Sequence, residues 1–334
     1  MKKILIVLVT LLFISCQNKE VDKLLIKNTG DAFGTTYNIQ YESKKDFHDE
    51  FNRVFERVNQ SMSTYMPKSN ISRINKGDTT IVVDEMFKEV FLTSKDIWAK
   101  TKGAFDPTVG PLVNAYGFGP TKKLKNIDST TVDSLMNFVG MEKVEITSND
   151  KIRKQYPEVY LDFNAIAKGY TLDLLAQMLD EKGISNFLIE LGGEVVAEGI
   201  NPEKQEPWTV GIDNPTISDG MEIYKVITLE DRAMASSGNY RKFIEDPETG
   251  QKFVHTINPE TGWPKKSNVL SVTVLAENCK LADAYATSFM VMELEETKNF
   301  LNNNSQLDVF IIFTDDDGNL QEWMTEGFKE VIVE

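Results

Sequence analysis

The sequence predicts an α+β fold, with mostly antiparallel sheet and helices packed against it. Three observations carry this reading. Strand-like and helix-like segments are intermixed, several strand-like neighbours are separated by only a few turn residues, and no composition break divides the chain. Strands joined by tight turns pair antiparallel, and a chain without linkers reads as one compact unit. The 334 residues are 41% hydrophobic and include 19 Phe, enough to bury a sizeable core.

The first segment, MKKILIVLVTLLFISC, stands outside that fold. Lys2 and Lys3 precede an apolar run of 11 residues, Ile4 to Ile14. A bilayer span needs about 20, so residues 1–15 read as a secretory signal. Phe13-Ile14-Ser15-Cys16 resembles the lipobox of bacterial lipoproteins, with Phe13 where Leu is usual. Cys16 is therefore the expected lipidation site, and acyl chains there would hold the protein at a membrane. Residues 16–28 would form the lipidated cysteine and a polar tether, leaving 29–334 as a single domain. Cys279 is then the only thiol left. No disulfide framework is possible, and Cys279 reads as a small buried hydrophobe.

Residues 32–42 alternate like a strand. KKDFHDEFNRVFERVNQSMS spaces Phe47, Phe51, Val54, Phe55 and Val58 along one helix face, with His48 beside the stripe as a surface side chain. Residues 84–101 form a second helix closed by Gly103, and STTVDSLMNFVG a third, ending at Gly140. EVYLDF reads as a strand running into the helix NAIAKGYTLDLLAQMLDEKG, with Gly183 as its stop. NFLIELGGEVVAEG gives two strands around Gly192-Gly193, and WTVGID, KVITL and VLSVTVLAE three more. KLADAYATSFMVM and ELEETKNFLNNN are helical, and DVFIIF with LQEWMT closes the chain as a hairpin around Asp317-Gly318.

Formal net charge is −15, falling to −17 once Lys2 and Lys3 leave with the signal. That excludes nucleic acid and electrostatic adhesion to anionic lipid. A phosphate-bearing ligand would need a local cation.

Four polar constellations interrupt the apolar pattern. Within LADAYATSFMV, Asp283 and Thr287 stand four residues apart, hence on one helix face. Two readings are open. Asp283 caps a helix while Thr287 bonds its own i−4 carbonyl, or the two oxygens help seat a hard cation such as Mg2+. In LDFNAIAKGYTLD, Asp162 ends a strand, Lys168 lies in the first turns of a helix, and Gly169 permits close backbone approach. Exposed amides at such a turn attract anions, although an Asn164 cap and a solvated lysine explain the same residues. There is no GxxxxGK[ST] and no GxGxxG, so neither a Walker nor a dinucleotide fingerprint supports a site. GAFDPTVGPLVNAYGFG sets Phe105, Tyr116 and Phe118 in a turn-rich stretch where they can wall a flat ring, and Tyr65 adjoins another turn. His255, one of two histidines, lies in a polar, Gly-rich stretch and is the candidate general base.

The succession GTTY, STYMPKSNISRIN, GAFDPTVGPLVNAYGFG, LDFNAIAKGY, ELGGE, SSGNYRKF, HTINPETGWP and ADAYATS resembles the ApbE family of FAD:protein FMN transferases, from about residue 30 to 315. The resemblance implies an α+β fold related to T-fold barrels. It implies Mg2+ bound by Asp283, Thr287 and the Ala165 carbonyl, with Asp162 and Lys168 contacting FAD on either side. Phe33, Tyr65 and Ala104-Phe105-Asp106 would form the flavin and adenosine pocket, Phe33 standing where many members have Met. The loop from His255 to Ile257 would close on the dinucleotide. The implied reaction moves FMN from FAD to a Thr or Ser hydroxyl of a respiratory flavoprotein, releasing AMP, in a lipid-anchored protein most simply placed at the inner membrane facing the periplasm. Lys168 and the cation would supply the local positive field, His255 or Asp283 the base. A flavin-storage lipoprotein and an Mg2+-dependent FAD diphosphatase are the alternative functions.

Overall fold

The computed structural model describes residues 24–121, 123–124, 126–217, 222–238, 243–245, 252–254, 256–265 and 267–333. Cys16, the signal segment and His255 therefore lie outside the described residues. Eight strands form the central sheet: β1 (Leu24–Ala32), β2 (Thr35–Ser43), β3 (Phe187–Leu191), β4 (Glu194–Glu198), β5 (Arg232–Gly238), β6 (Val269–Ala276), β7 (Asp308–Thr314) and β8 (Leu320–Met324). Their spatial order follows the chain from β1 to β8. All seven pairings are antiparallel. Apart from a short helix after β8, Glu326–Lys329, the other described elements are inserted between neighbouring strands. The expected α+β class with antiparallel sheet is thus observed. The barrel is not: β1 and β8 are the two edges of an open sheet among the described residues.

Between β2 and β3 the chain builds α1 (His48–Met62), α2 (Asn70–Asn75), α3 (Glu85–Lys100), α4 (Gly110–Tyr116), α5 (Ser129–Met136) and α6 (Ala167–Glu181). Between β6 and β7 it builds α7 (Cys279–Val291) and α8 (Leu294–Leu301). The period-2 pattern of the strands explains the layering. Ala235, Val272, Val274 and Ile311 face the helical core with α3 and α7. Their neighbours Met234, Leu275, Phe310 and Ile312 face a second layer, the hairpin of Glu206–Asp213 and Ile223–Leu229. On α1, Phe51, Val54, Phe55 and Val58 are buried, as their spacing requires. Each such side chain contributes about 1.5–3 kcal/mol by leaving water.

Several elements differ from the sequence reading. The tether expected through residue 28 is shorter, because Leu24–Asn28 already pair with β2. EVYLDF is not a strand. Only Tyr160 makes an isolated bridge, to Val109, and Leu161 takes both of its backbone bonds from the Asn75 side-chain amide at 2.8 Å. The turn-rich stretch 103–119 contains α4, ended by Gly117. His48 is not a free surface side chain: its Nε2 is hydrogen-bonded to the Tyr37 hydroxyl at 2.8 Å.

Candidate active site

Two hairpin turns stand side by side at one end of the sheet. β1 and β2 are joined by Phe33-Gly34, and β3 and β4 by Gly192-Gly193, all four residues at positive φ. Two-residue turns that match strand twist need this conformation. Gly192 donates to the Thr36 carbonyl at 3.0 Å, which ties the turns together. Phe33 holds φ of 52° without being glycine, a local strain of about 1–2 kcal/mol. Its ring meets Phe55 edge-on at 5.8 Å.

Behind the turns, α6 and α7 approach very closely. A Cβ on Gly169 would lie 2.3 Å from the Cys279 carbonyl oxygen and 2.9 Å from Lys280 Cα. Glycine is the only residue that fits this approach. Asp173 of α6 fastens the contact: its carboxylate accepts the Cys279 N–H at 2.6 Å and the Lys280 N–H at 3.0 Å. These are first-turn amides of α7, otherwise without helical partners.

This packing brings Asp283 to α6. Its Oδ2 accepts the Gly169 N–H at 3.2 Å. Gly169 is the third residue of α6, whose cap is Ile166, so its N–H is a first-turn amide that no helical carbonyl meets. No described donor bonds the Ala165 carbonyl, whereas the next residue pair, Tyr170 N–H to Ile166 carbonyl, is made at 2.9 Å. The Ala165 carbonyl, just ahead of the helix, is therefore left available as an acceptor. The bland reading of Asp283 and Thr287 does not hold. Asn278 caps α7, and Asp283 is the fifth residue of that helix. The Thr287 hydroxyl faces Ser237 at 3.5 Å, and no bond to the Asp283 carbonyl is made among the described residues. A carboxylate, a hydroxyl and a carbonyl are hard oxygens of the kind Mg2+ takes.

The electrostatics contain a residue that the sequence reading left without a role. Glu194, directly after the Gly192-Gly193 turn, is buried and accepts from Lys168 Nζ at 2.5 Å. The signal was present, a carboxylate opening a strand after two glycines, but nothing local marks it as buried. Lys168 is consequently not the free cation expected; it already neutralises Glu194. Burial lowers the affinity of the lysine for its proton, yet the charges of Glu194 and Asp283 prevail and its pKa is raised. Burial first, then the charge of Glu194, push Asp283 up to about 7 against the pull of Lys168. A cation would compete with a proton there. Cys279 is buried and its thiol is pushed well up by burial, as a structural cysteine should be.

The remaining expected residues divide into two sets. Tyr65 is 59% exposed, and its hydroxyl reaches the Phe118 carbonyl at 3.3 Å, bridging two of the motif loops with a ring face open. Asp162 is buried beside them, its N–H donating to the Pro107 carbonyl at 2.7 Å and its Oδ1 accepting from the Asn164 N–H at 2.8 Å. Burial pushes its carboxyl up to about 6. Phe105 and Tyr116 do not wall a pocket with their rings. Phe105 belongs to the helical core, and Tyr116 to a small core with Leu112, Val132 and Ile257. Ala104 is half-buried against the helical core. Asp106 serves its own loop, accepting from the Thr108 N–H at 2.7 Å and the Thr108 hydroxyl at 2.6 Å. The Ile257 side chain is buried, so only its backbone is placed to meet a ligand.

Comparison with known proteins follows this geometry. A model described as the ApbE family matches residues 33–311. An FAD:protein FMN transferase of Vibrio cholerae is 35% identical over 98% of this chain and 98% of its own length. One of Haemophilus influenzae is 33% identical over 98% of this chain and 96% of its own. The solved structure of the flavin transferase ApbE from Vibrio cholerae superposes with a TM-score of 0.81 at 34% identity, covering 92% of this chain and 99% of that one.

Proposed function

The chain belongs to the ApbE family, and from that premise we propose that it transfers FMN from FAD to a Thr or Ser hydroxyl of a partner flavoprotein, with AMP as the leaving group. One observation carries the reading: Asp283 is anchored to the first turn of α6 by the Gly169 N–H, while the Ala165 carbonyl just ahead of that turn has no described donor. Asp283, Thr287 and Ala165 then offer three oxygens of a kind suited to Mg2+. When bound, Mg2+ would neutralise charge building on the diphosphate oxygens during transfer.

The acceptor oxygen forms a bond to the phosphorus of the FMN half. The bond from that phosphorus to the bridging oxygen breaks, and the electron pair leaves with AMP. The hydroxyl proton goes to a base within hydrogen-bond reach. His255 is that base in our proposal, because Asp283 is committed to the cation. Tyr65 offers an exposed ring to one of the flat systems of FAD, and Phe33 its ring at the opposite turn. Lys168 and Glu194 set the charge around Asp283. Lipidation at Cys16 would hold the enzyme at the inner membrane facing the periplasm, where respiratory flavoproteins present their acceptor residues.

The test is incubation with FAD, Mg2+ and a peptide carrying the Thr acceptor. Covalent flavin fluorescence on the peptide is expected. Free FMN plus AMP would assign an FAD diphosphatase instead, and intact FAD a flavin-storage protein. His255→Ala should keep FAD affinity and lose rate; unchanged turnover moves the base elsewhere.

A further inference from the structure

Glu194 holds an unusual position among the buried polar groups. Only 3% of it is exposed. Its Oε1 is paired with Lys168 Nζ, whereas Oε2 is buried with no hydrogen-bond partner among the described residues. The other buried orphan oxygens among the described residues are neutral: the amide oxygen of Asn38 and the hydroxyls of Ser61, Thr64, Ser94 and Thr297. A carboxylate oxygen is the costliest of these to leave unmet, more than the roughly 1–3 kcal/mol of a neutral group. Native structures meet such atoms with a donor, often water or an ion.

The surroundings narrow the identity of that donor. Glu194 opens β4, next to the start of α6 and the middle of α7. Asp283 feels its charge more strongly than any other, and Cys279 and Lys168 feel it as well. The nearest cation, Lys168, is already on Oε1. The remaining chemistry at this spot is the Asp283, Thr287 and Ala165 oxygen set, and a Mg2+ held by so few protein oxygens keeps several waters.

The geometry points to Glu194 as the outer-sphere partner of the cation: Oε2 accepts a hydrogen bond from a cation-bound water and so fixes that water and the ion. This rests on the cation reading of Asp283 above. Glu194 is thereby a positioning residue, acting through water and through Lys168. It touches neither the flavin nor the reacting phosphorus.

The experiment is Mn2+ binding to the full chain, without flavin, followed by electron paramagnetic resonance and water-proton relaxation, with Mg2+ as competitor. Wild type should bind one Mn2+ that Mg2+ displaces, and Asp283→Ala should bind none. Glu194→Gln, which keeps size but weakens the acceptor, should bind about 10–100-fold more weakly. Its relaxation enhancement should also change, because the ordered water is released. Glu194→Asp keeps the charge and shortens the reach, so it should lose affinity too, and it guards against a folding defect in the Gln variant. If Asp283→Ala is empty while both Glu194 variants bind as wild type does, the outer-sphere role is wrong and the cation site stands. If Asp283→Ala binds normally, or wild type takes up no Mn2+ at millimolar concentration, the cation reading fails and this inference with it.

Discussion

Replacing Gly169 by alanine tests the whole arrangement with a single methyl group. The new Cβ would stand 2.3 Å from the Cys279 carbonyl oxygen, 2.6 Å from its carbon and 2.9 Å from Lys280 Cα. All three are backbone atoms, so no side-chain rotation relieves the overlap. Reaching ordinary contact at 3.4 Å means separating α6 from α7 by about 1 Å, an overpacking cost of about 1–3 kcal/mol. Helix propensity acts in the opposite direction, favouring Ala over Gly by about 1 kcal/mol. Net destabilisation of about 0–2 kcal/mol should lower Tm by at most roughly 4 °C. Activity should suffer more. The Gly169 N–H to Asp283 bond, already 3.2 Å, lies across the same interface. A displacement of about 1 Å at a catalytic group can cost about 100-fold in rate. The assay is flavin transfer to the acceptor peptide alongside thermal unfolding. Gly183→Ala is the control: φ is +71° there, but no atom lies within 4 Å, so it should cost stability and leave transfer intact. A Gly169→Ala enzyme with wild-type rate would refute the claim that this contact sets the position of Asp283.

Asp283→Ala should abolish transfer, a loss of about 10³-fold or more if it removes the cation's charge stabilisation; a Mg2+ titration of the residual rate checks it. Lys168→Met leaves Glu194 buried without its counter-ion. Urea unfolding should show a loss of about 2–3 kcal/mol, less than for a fully buried pair because the lysine keeps 30% exposure. Asp106→Asn addresses pH. Burial raises the Asp106 carboxyl from 3.8 to about 6 in the folded state. The folded form therefore holds the proton more tightly than the unfolded form does. Its contribution is fully present below the unfolded value and is lost as pH rises through the folded one. The stability of the Asn variant relative to wild type should grow between pH 4 and 6 and level off above, by up to about 3 kcal/mol. Urea midpoints at several pH values measure this, and a flat difference would show that Asp106 is ordinary.

What was legible in the sequence was whatever repeats at short range. The α1 stripe, the Gly192-Gly193 hairpin and the closing hairpin each carry their period or their turn within a dozen residues. β5 carried no such signal. Its sequence, RAMASSG, has no β-branched residue and only one large apolar one. The strand exists because α7 packs on it and its neighbours β4 and β6 supply the ladder. The opposite error, EVYLDF, has strand composition but no free strand edge beside it, so Asn75 and Pro107 take its backbone bonds instead. The site follows the same rule. Asp283, Thr287 and Lys168 stand out because they break apolar helices. Glu194 and Asp173 do not, because their roles come from partners 26 and 106 residues away.

The acidity of the chain and the chemistry of the site have one explanation. When Asp283 is ionised, two carboxylates, Asp283 and Glu194, share one ammonium, so the buried cluster carries an excess of negative charge within a chain of formal charge −15. Two unit charges 4 Å apart interact by about 4 kcal/mol at the effective dielectric of a protein. A diphosphate entering that field is repelled, and Lys168 cannot offset it while it is held by Glu194. In the proposed reaction a divalent ion would reverse the sign, and the groups that repel the diphosphate would be the ones that hold the ion. On the proposed cation site, the same carboxylates would make substrate binding depend on the ion.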